Sequence, residues 1–564
     1  MQQYKHNHES VNEKKLGPDD KTLSPIVLLG GLVVVCIIVA ATYWPVLSAQ
    51  AKFFDDNKYL TENELVRNPS WSSAWRFLTE VLNPSTVRGY YQPLAMLSLM
   101  ADYAMGGRDD DLTVFHATSL ILHLANTVLI VVFLYQLFAN PWAAALAGLL
   151  FGVHPLTVEP VSWLSERKTL LAAFFALWCL IIYVRFVRTN DKKTYLLCMV
   201  SFVLALMSKP TSTPVPLLML LLNYWPLGRL GKKTIVWTIP FFVVSGVAAI
   251  ITCVSQGSTA VITMPMEYSP GQLLLMICHN IVFYLYKFIW PARLSAYYPL
   301  PDTFTLEHPM FLAGIIGTCI LIPVLIFSLR WTKSLLVGWL FFFLAVFPTL
   351  GVVGFHRVIA ADRHIYLPMV GLLLPLLVLL SRFFPTSMNI FSRRHVLVLA
   401  TVLIIVAAEI FATRGYLVYW RDSVGLYSYT LTESPEVGEL HNNLGSTLAL
   451  QKKLNQAIPH FVKAVQLEPS NEKAHYNLGL ALAQTAEFER AITHFRKSLE
   501  LNPNSPYTMI NLAYVLATIE KLELRDGTEA LRLAKRACEL TDYKNPEMLN
   551  ILEEVRKSAG LRQQ

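Results

Sequence analysis

Charged side chains stand at the ends of apolar runs in this sequence, where a membrane would make them costly. Asp55 and Asp56 follow the first run, Glu159, Glu166, Arg167 and Lys168 follow the third, and Lys209 closes the fifth. Lys287 and Arg293 flank a later run, and His356, Arg357, Asp362, Arg363 and His364 precede the penultimate one. A charge at the centre of a bilayer costs roughly 2.5–3.5 kcal/mol on insertion scales, so such groups need a reason to be there. Carboxylates accept protons, and Lys and Arg suit phosphate oxygens. Two acids and a group of bases facing one compartment could take a proton from a hydroxyl and hold a phosphate.

Each of these groups also has a plainer reading. Adjacent acids just outside a span are most often solvated loop residues, which is the alternative for Asp55 and Asp56. Glu166, Arg167 and Lys168 could anchor a helix end in the interface, and Lys209 could snorkel its ammonium to the headgroups. His116 and His123 lie two turns apart on one face of an expected helix, but no third ligand stands nearby. Packed polar contacts therefore explain them better than a metal. Glu409, inside the last run, is expected to pair with a neighbouring helix.

The elements that would position these groups follow from composition. Of the 564 residues, 54% are hydrophobic and only 15% charged, with a mean hydropathy of +0.44. Soluble domains carry about 25% charged residues. The first 24 residues and the stretch after Trp420 are polar; between them apolar runs alternate with short basic loops. That arrangement accounts for the net charge of +8 through the positive-inside rule, and a nucleic-acid partner is not needed. Six of the seven cysteines sit in apolar runs and only Cys538 lies in the polar tail, with no paired spacing. Neither a disulfide framework nor a zinc site is implied.

Residues 25–47 are long enough to span, follow Lys14, Lys15 and Lys21, and end in Tyr43-Trp44-Pro45. They read as an uncleaved first span rather than a signal peptide. With a cytoplasmic N-terminal tail over 1–24, residues 48–111 become the first outer loop. Further spans are expected at 113–138, 142–158, 168–186, 194–207, 214–226 and 234–254, which puts the basic loops after Phe186 and Pro226 inside. Residues 271–291 are apolar enough to span but carry His279, Asn280 and Lys287. If they cross, the turn Arg330-Trp331-Thr332-Lys333 falls outside; if they lie in the outer interface, it falls inside. The second arrangement is preferred. It gives an all-α, polytopic bundle of about eleven spans over 25–415, the last near 396–411, with the C-terminal region outside.

That region is a helical repeat array. His441-Asn442-Asn443-Leu444-Gly445 recurs as His475-Tyr476-Asn477-Leu478-Gly479, Ala457 as Ala491, Phe461 as Phe495, and Pro435 as Pro469 and Pro503. The interval is that of tetratricopeptide (TPR) repeats, whose small residues let two antiparallel helices approach. A third copy starts at Asn511-Leu512-Ala513 and resumes at Ala530, with Ala534 and Ala537 in the later positions. The expected organisation is a half-repeat linker over 421–437, repeats over 438–471, 472–505 and 506–544, and a capping helix with its tail over 545–564. Three repeats are about the minimum for a stable α-solenoid. Such arrays are binding surfaces, so a partner protein is expected in their groove.

The stretch from Phe53 through Asp55-Asp56-Asn57 to Asn63 resembles the opening motif of bacterial membrane proteins with C-terminal tetratricopeptide repeats. These are relatives of the eukaryotic transmembrane-and-tetratricopeptide O-mannosyltransferases. His154-Pro155-Leu156-Thr157-Val158-Glu159 and Val161-Ser162-Trp163-Leu164-Ser165-Glu166-Arg167-Lys168 resemble a second station of that family. Ser208-Lys209-Pro210, Asn223-Tyr224-Trp225-Pro226-Leu227, Trp290-Pro291-Ala292 and Ala361-Asp362-Arg363-His364-Ile365-Tyr366-Leu367-Pro368 resemble later ones, in order. The resemblance runs from about residue 50 to the end. Each motif is weak alone, and their order is what makes it specific.

The resemblance implies a glycosyltransferase of the GT-C type in a bacterial inner membrane, with its site and repeats on the periplasmic, outer face. It implies a polyprenyl-phosphate-linked sugar as donor and an essential acid in the first outer loop, here Asp55 or Asp56. The expected reaction is an inverting displacement in which that acid deprotonates the acceptor hydroxyl. Arg167, Lys209 and Arg363 are candidates to hold the departing phosphate, backed by Lys168 and His364, with Glu159, Glu166 and Asp362 as further polar site candidates. Gln92 and Thr169 depart from the family pattern, where Arg or His and Asp are usual; both bear on donor choice and on activity itself. No cofactor is assigned: a divalent cation remains open, but no ligand set is visible beyond the acidic pair. Membrane lipids are expected partners. Two other readings stand beside the enzyme: a membrane-anchored repeat scaffold, and a carrier of lipid-linked sugars. Geometry discriminates them, through whether Asp55 or Asp56 meets a pocket lined by Arg167, Lys209 or Arg363.

Overall fold

The structure, a computed structural model, describes residues 20–82, 87, 91–259, 268–301, 303–350, 358–384, 393–519, 521 and 523–558. His356 and Arg357 lie outside the described residues. The chain divides into two compact units, Met1–Arg421 and Asp422–Gln564.

The first unit is a helical bundle built from the apolar runs. Among the described residues, seven helices are long and apolar enough to cross a membrane: Ile26–Ser48, Thr113–Phe138, Leu164–Thr189, Lys232–Ser255, Pro270–Ile289, Pro309–Ser328 and Arg393–Arg421. Pro141–Val153 and Pro155–Ser162 form a bent pair, at 57°, that would make an eighth. The runs expected at 194–207 and 214–226 are helices Lys192–Ser208 and Val215–Tyr224, of 17 and 10 residues. Both are shorter than the roughly 20 residues that cross a hydrocarbon core unaided. Ser334–Thr349 and Met369–Phe383 are also short and apolar.

Local chemistry sets where these helices start and how closely they pack. Asn140 caps Pro141–Val153 by accepting the Ala143 N–H at 3.0 Å, with Pro141 at the first helical position, where no N–H is needed. Its amide also donates to the Phe384 carbonyl at 2.7 Å and so ties two distant connections together. Helices Ser334–Val346 and Met369–Phe383 cross at Gly338 and Gly371. A Cβ at either would come within 2.6 Å of the other's carbonyl oxygen, so only glycine permits this approach. Gln50, just past the first span, donates its N–H to the Arg421 carbonyl at 2.9 Å, which closes the end of the last span against the start of the first loop.

The loop after the first span folds on its own small core. Tyr59, Leu60, Val66, Phe77, Met96 and Leu99 bury against Phe115 and Leu164 of the following helices. A two-stranded ribbon departs from an all-helical reading: Tyr298–Pro299 pairs antiparallel with Val358–Ala360, Tyr298 opposite Ala360. This short ribbon delivers Tyr298 to the segment that carries Asp362.

The second unit is a stack of antiparallel helix pairs. Gly438–Leu450 packs on Leu454–Leu467, Glu472–Gln484 on Phe488–Leu501, and Pro506–Thr518 on Gly527–Leu540. Ser423–Glu433 precedes them, capped by Asp422 accepting the Gly425 N–H at 2.8 Å, and Pro546–Ser558 follows. The residues that repeat in sequence are those that bury: Ala457, Phe461 and Ala464, then Ala491 and Phe495, then Ala530, Ala534 and Ala537. A Cβ on Gly445 or Gly479 would lie 2.7 or 2.8 Å from the ring of Phe461 or Phe495. Each glycine thus fixes how near its two helices come.

Candidate active site

Asp55 and Asp56 are neighbours in sequence and opposites in environment. Asp55 keeps about half of its side chain exposed, 51%, with Lys58 at 3.7 Å. Asp56 is buried: its Oδ2 accepts the Phe53 N–H at 3.0 Å and its Oδ1 accepts the Ser165 N–H at 2.8 Å. Burial pushes the Asp56 carboxyl up to about 7, against the pull of those two N–H donors. The indole N–H of Trp163 donates to the Phe53 carbonyl at 3.2 Å, and the two rings meet edge to face at 5.3 Å. The first loop is thereby fastened to the segment that carries Glu159, Glu166 and Lys168.

Glu166 is the centre of the charge cluster. Three cations from separate stretches of chain reach it: Lys209 at 3.0 Å, Lys168 at 3.5 Å and Arg363 at 3.4 Å. The Thr169 hydroxyl donates to the same carboxylate and accepts from Lys209 Nζ at 2.7 Å. Arg363 also donates to Glu159 through Nη1, at 2.5 Å, and through its backbone N–H, at 2.9 Å. Its guanidinium lies over the Trp163 ring, 4.8 Å from the centroid. Lys168 donates to the Tyr59 hydroxyl at 3.2 Å, which also receives the Gln92 amide at 2.5 Å. Both positions that depart from the family pattern, Gln92 and Thr169, therefore touch the cluster's first ring of side chains.

These groups border a cavity of about 30 Å³. Lys209, Arg363, His364, Thr169, Thr211 and Ser212 line its polar side, and Ala172, Ala345 and Leu367 its apolar side. That volume suits about one water, so a phosphate would require these side chains to part. Asp362 is buried next to it. Its Oδ1 accepts the Tyr298 hydroxyl at 3.1 Å, while Oδ2 has no hydrogen-bond partner among the described residues. Burial and the Glu159 carboxylate push Asp362 well above the usual carboxylate range. His364 Nδ1 lies 3.4 Å from the Tyr284 hydroxyl.

Arg167, expected from sequence among the phosphate ligands, does not join this cluster. It is fully buried, and its donors go to Asp102 at 2.7 Å, Ser98 at 2.7 Å, Ser119 at 3.2 Å and the Phe115 carbonyl at 2.6 Å. On a helix, residues one apart point about 100° away from each other, so Lys168 faces Glu166 while Arg167 faces helices Pro93–Ala104 and Thr113–Phe138. Asp102, its partner, was missed from sequence. The available signal was an acid within the otherwise apolar helix Pro93–Ala104. His123 is a packed polar residue, with Nδ1 2.8 Å from the Tyr366 hydroxyl and Nε2 2.9 Å from the Gly152 carbonyl. Glu409 meets His154 of a neighbouring helix at 3.8 Å.

Comparison with known proteins bears on both units. Residues 472–505 match the family described as tetratricopeptide repeat, and 445–485 the family described as TPR repeat. Over 498 residues, 83% of this chain and 67% of the relative, it is 23% identical to protein O-mannosyl-transferase F38B6.6 of Caenorhabditis elegans. Protein O-mannosyl-transferase TMTC2 of Mus musculus is 28% identical over 152 residues, 27% of this chain and 18% of that protein. TMTC4 of Homo sapiens is 29% identical over 156 residues, 25% of this chain and 21% of that protein. Its homologues are TMTC-type protein O-mannosyl-transferases. The chain spans about two thirds of the worm protein and about a fifth of the two mammalian proteins. The O-mannosyl-transferase relationship supports a membrane glycosyltransferase, and the repeats support protein partners.

Proposed function

We propose that the protein transfers a sugar from a polyprenyl-phosphate donor to a hydroxyl of an acceptor protein, on the outer face of its membrane. Mannose, the sugar in the names of its relatives, is the first to test. The observation that carries this reading is the convergence of Lys168, Lys209 and Arg363 on Glu166, beside a loop that presents Asp55. Three cations around one or two carboxylates leave excess positive charge where a phosphate could be held.

In the proposed step Asp55, the accessible acid, takes the proton of the acceptor hydroxyl. The hydroxyl oxygen forms its bond to the anomeric carbon, the carbon–oxygen bond to phosphate breaks, and configuration inverts. The electron pair leaves with the polyprenyl phosphate, whose charge Lys209 and Arg363 stabilise. Lys168 and His364 stand behind them, and Glu166 and Glu159 hold the cations in place. Asp56 is a positioning residue, since both of its oxygens are occupied by backbone N–H groups. The repeats, which begin at Gly438, would recruit the acceptor protein.

The test is transfer of labelled mannose from a polyprenyl phosphate to protein, comparing the native chain with Asp55→Asn and Lys209→Met. The proposal expects transfer by the native chain and its loss in both variants. Equal transfer by all three would remove the proposed base and phosphate ligand together. Failure of the native chain with every lipid-phosphate sugar offered would favour the scaffold reading.

A further inference from the structure

Each of the first two repeats of the C-terminal unit carries a histidine pair that plays no part in the site described above. His441 Nδ1 lies 3.0 Å from His460 Nδ1, and one repeat later His475 Nδ1 lies 3.1 Å from His494 Nδ1. The ring centroids are 5.3 Å apart in both pairs. In both, the histidine of the first helix turns Nε2 to a backbone carbonyl: His441 to Pro435 at 3.0 Å, His475 to Pro469 at 3.2 Å. A carbonyl only accepts, so Nε2 carries the proton and Nδ1 offers a bare lone pair to the facing ring. Pinning one ring nitrogen to a carbonyl is how metal-binding histidines are commonly oriented.

We propose that each pair is a two-histidine chelate for a late divalent transition metal, Cu(II) before others. With metal–nitrogen bonds of about 2.0–2.1 Å, this nitrogen separation subtends about 95° at the metal. That suits adjacent positions of tetragonal Cu(II) or Ni(II) better than the tetrahedral angle of Zn(II), and Cu(II) binds most strongly of the three. In the free neutral pair, His460 or His494 donates its Nδ1–H to the facing Nδ1. On binding, that proton moves to Nε2 of the same ring, both Nδ1 atoms coordinate, and water fills the remaining positions. No net proton is released. Glu436 and Lys463 act on His441, and Glu500 and Lys497 on His475, as ion pairs at 3.2 and 2.8 Å. Arg490, ion-paired with Glu487 at 2.5 Å, also acts on His494, while Gln456 stands at the equivalent position one repeat earlier.

The test is Cu(II) titration of the full chain in detergent near pH 7.5, read by equilibrium dialysis and electron paramagnetic resonance. Two Cu(II) ions are expected with coupling to two imidazole nitrogens each, beyond any held by His6 and His8 near the N-terminus. His460→Asn and His441→Asn should each abolish the first site only, and His494→Asn the second only. Circular dichroism checks that the variants keep their helices. Absence of the two-nitrogen signal from the native chain at saturating Cu(II) overturns the proposal without reference to any variant. So does an unchanged stoichiometry in His460→Asn/His494→Asn, which would leave simple hydrogen-bonded pairs.

Discussion

Ser165 donates its backbone N–H to Asp56 Oδ1 at 2.8 Å, across 109 residues of chain. That bond holds the first loop against the segment bearing the cations, and it divides the labour between two adjacent acids. Asp56→Asn leaves one acceptor oxygen for two buried N–H donors, and an unsatisfied buried donor costs about 1–3 kcal/mol. The expected outcome is a lower melting temperature together with reduced transfer. Asp55→Asn should leave melting unchanged while transfer falls by about 10²–10⁴-fold, the usual weight of a general base. Thermal melts beside transfer rates read the split.

Lys209 touches Glu166 and Thr169 and lines the cavity. Removing one fixed donor to a developing negative charge typically costs about 10²–10³-fold in turnover. Lys209→Met is expected to lose that much, with Lys463→Met, on an exposed pair in the repeats, unchanged. The measurement is kcat and donor KM for each.

The Asp102–Arg167 pair is almost wholly buried, at 1% and 0% side-chain exposure. Breaking a buried pair by neutralising one partner costs about 3–5 kcal/mol. Asp102→Asn should therefore lower the melting temperature strongly, while donor KM of the surviving folded enzyme stays put. A raised KM with normal melting would return Arg167 to the phosphate.

Stability of the repeats should depend on acid. Burial first, then the facing ring, holds His494 at about 4, and burial lowers His441, His460 and His475 below the ordinary 6.5. The folded state thus binds fewer protons than the unfolded one. Its stability is full above pH 6.5 and is lost as pH falls through that value towards about 4. Urea unfolding of the C-terminal helices, followed at pH 7.5 and 4.5, should show a lower midpoint at the acid end. His460→Gln/His494→Gln should narrow the difference.

Much of this was legible in sequence because it rests on periodicity or cost. The repeat interval announced which alanines and phenylalanines bury, and charges beside apolar runs announced Glu159, Glu166, Lys168, Lys209 and Arg363. Orientation was not legible. Nothing in the run Glu166-Arg167-Lys168 says that the middle residue turns away, because that depends on Asp102 in a different helix. Burial of Asp56 rather than Asp55 depends on the Ser165 N–H, and backbone donors leave no mark in side-chain identity. Tyr59 and Tyr298 were invisible as site neighbours for the same reason: a loop core and a two-stranded ribbon bring them in.

The bond from Gln50 N–H to the Arg421 carbonyl also bears on a matter of parity. Two points on one side of a sheet of lipid can be joined only by an even number of passages, so the full tally, with the opening segment added, is odd. The eleven spans expected from sequence are an odd number, and so are the seven long apolar helices found among the described residues.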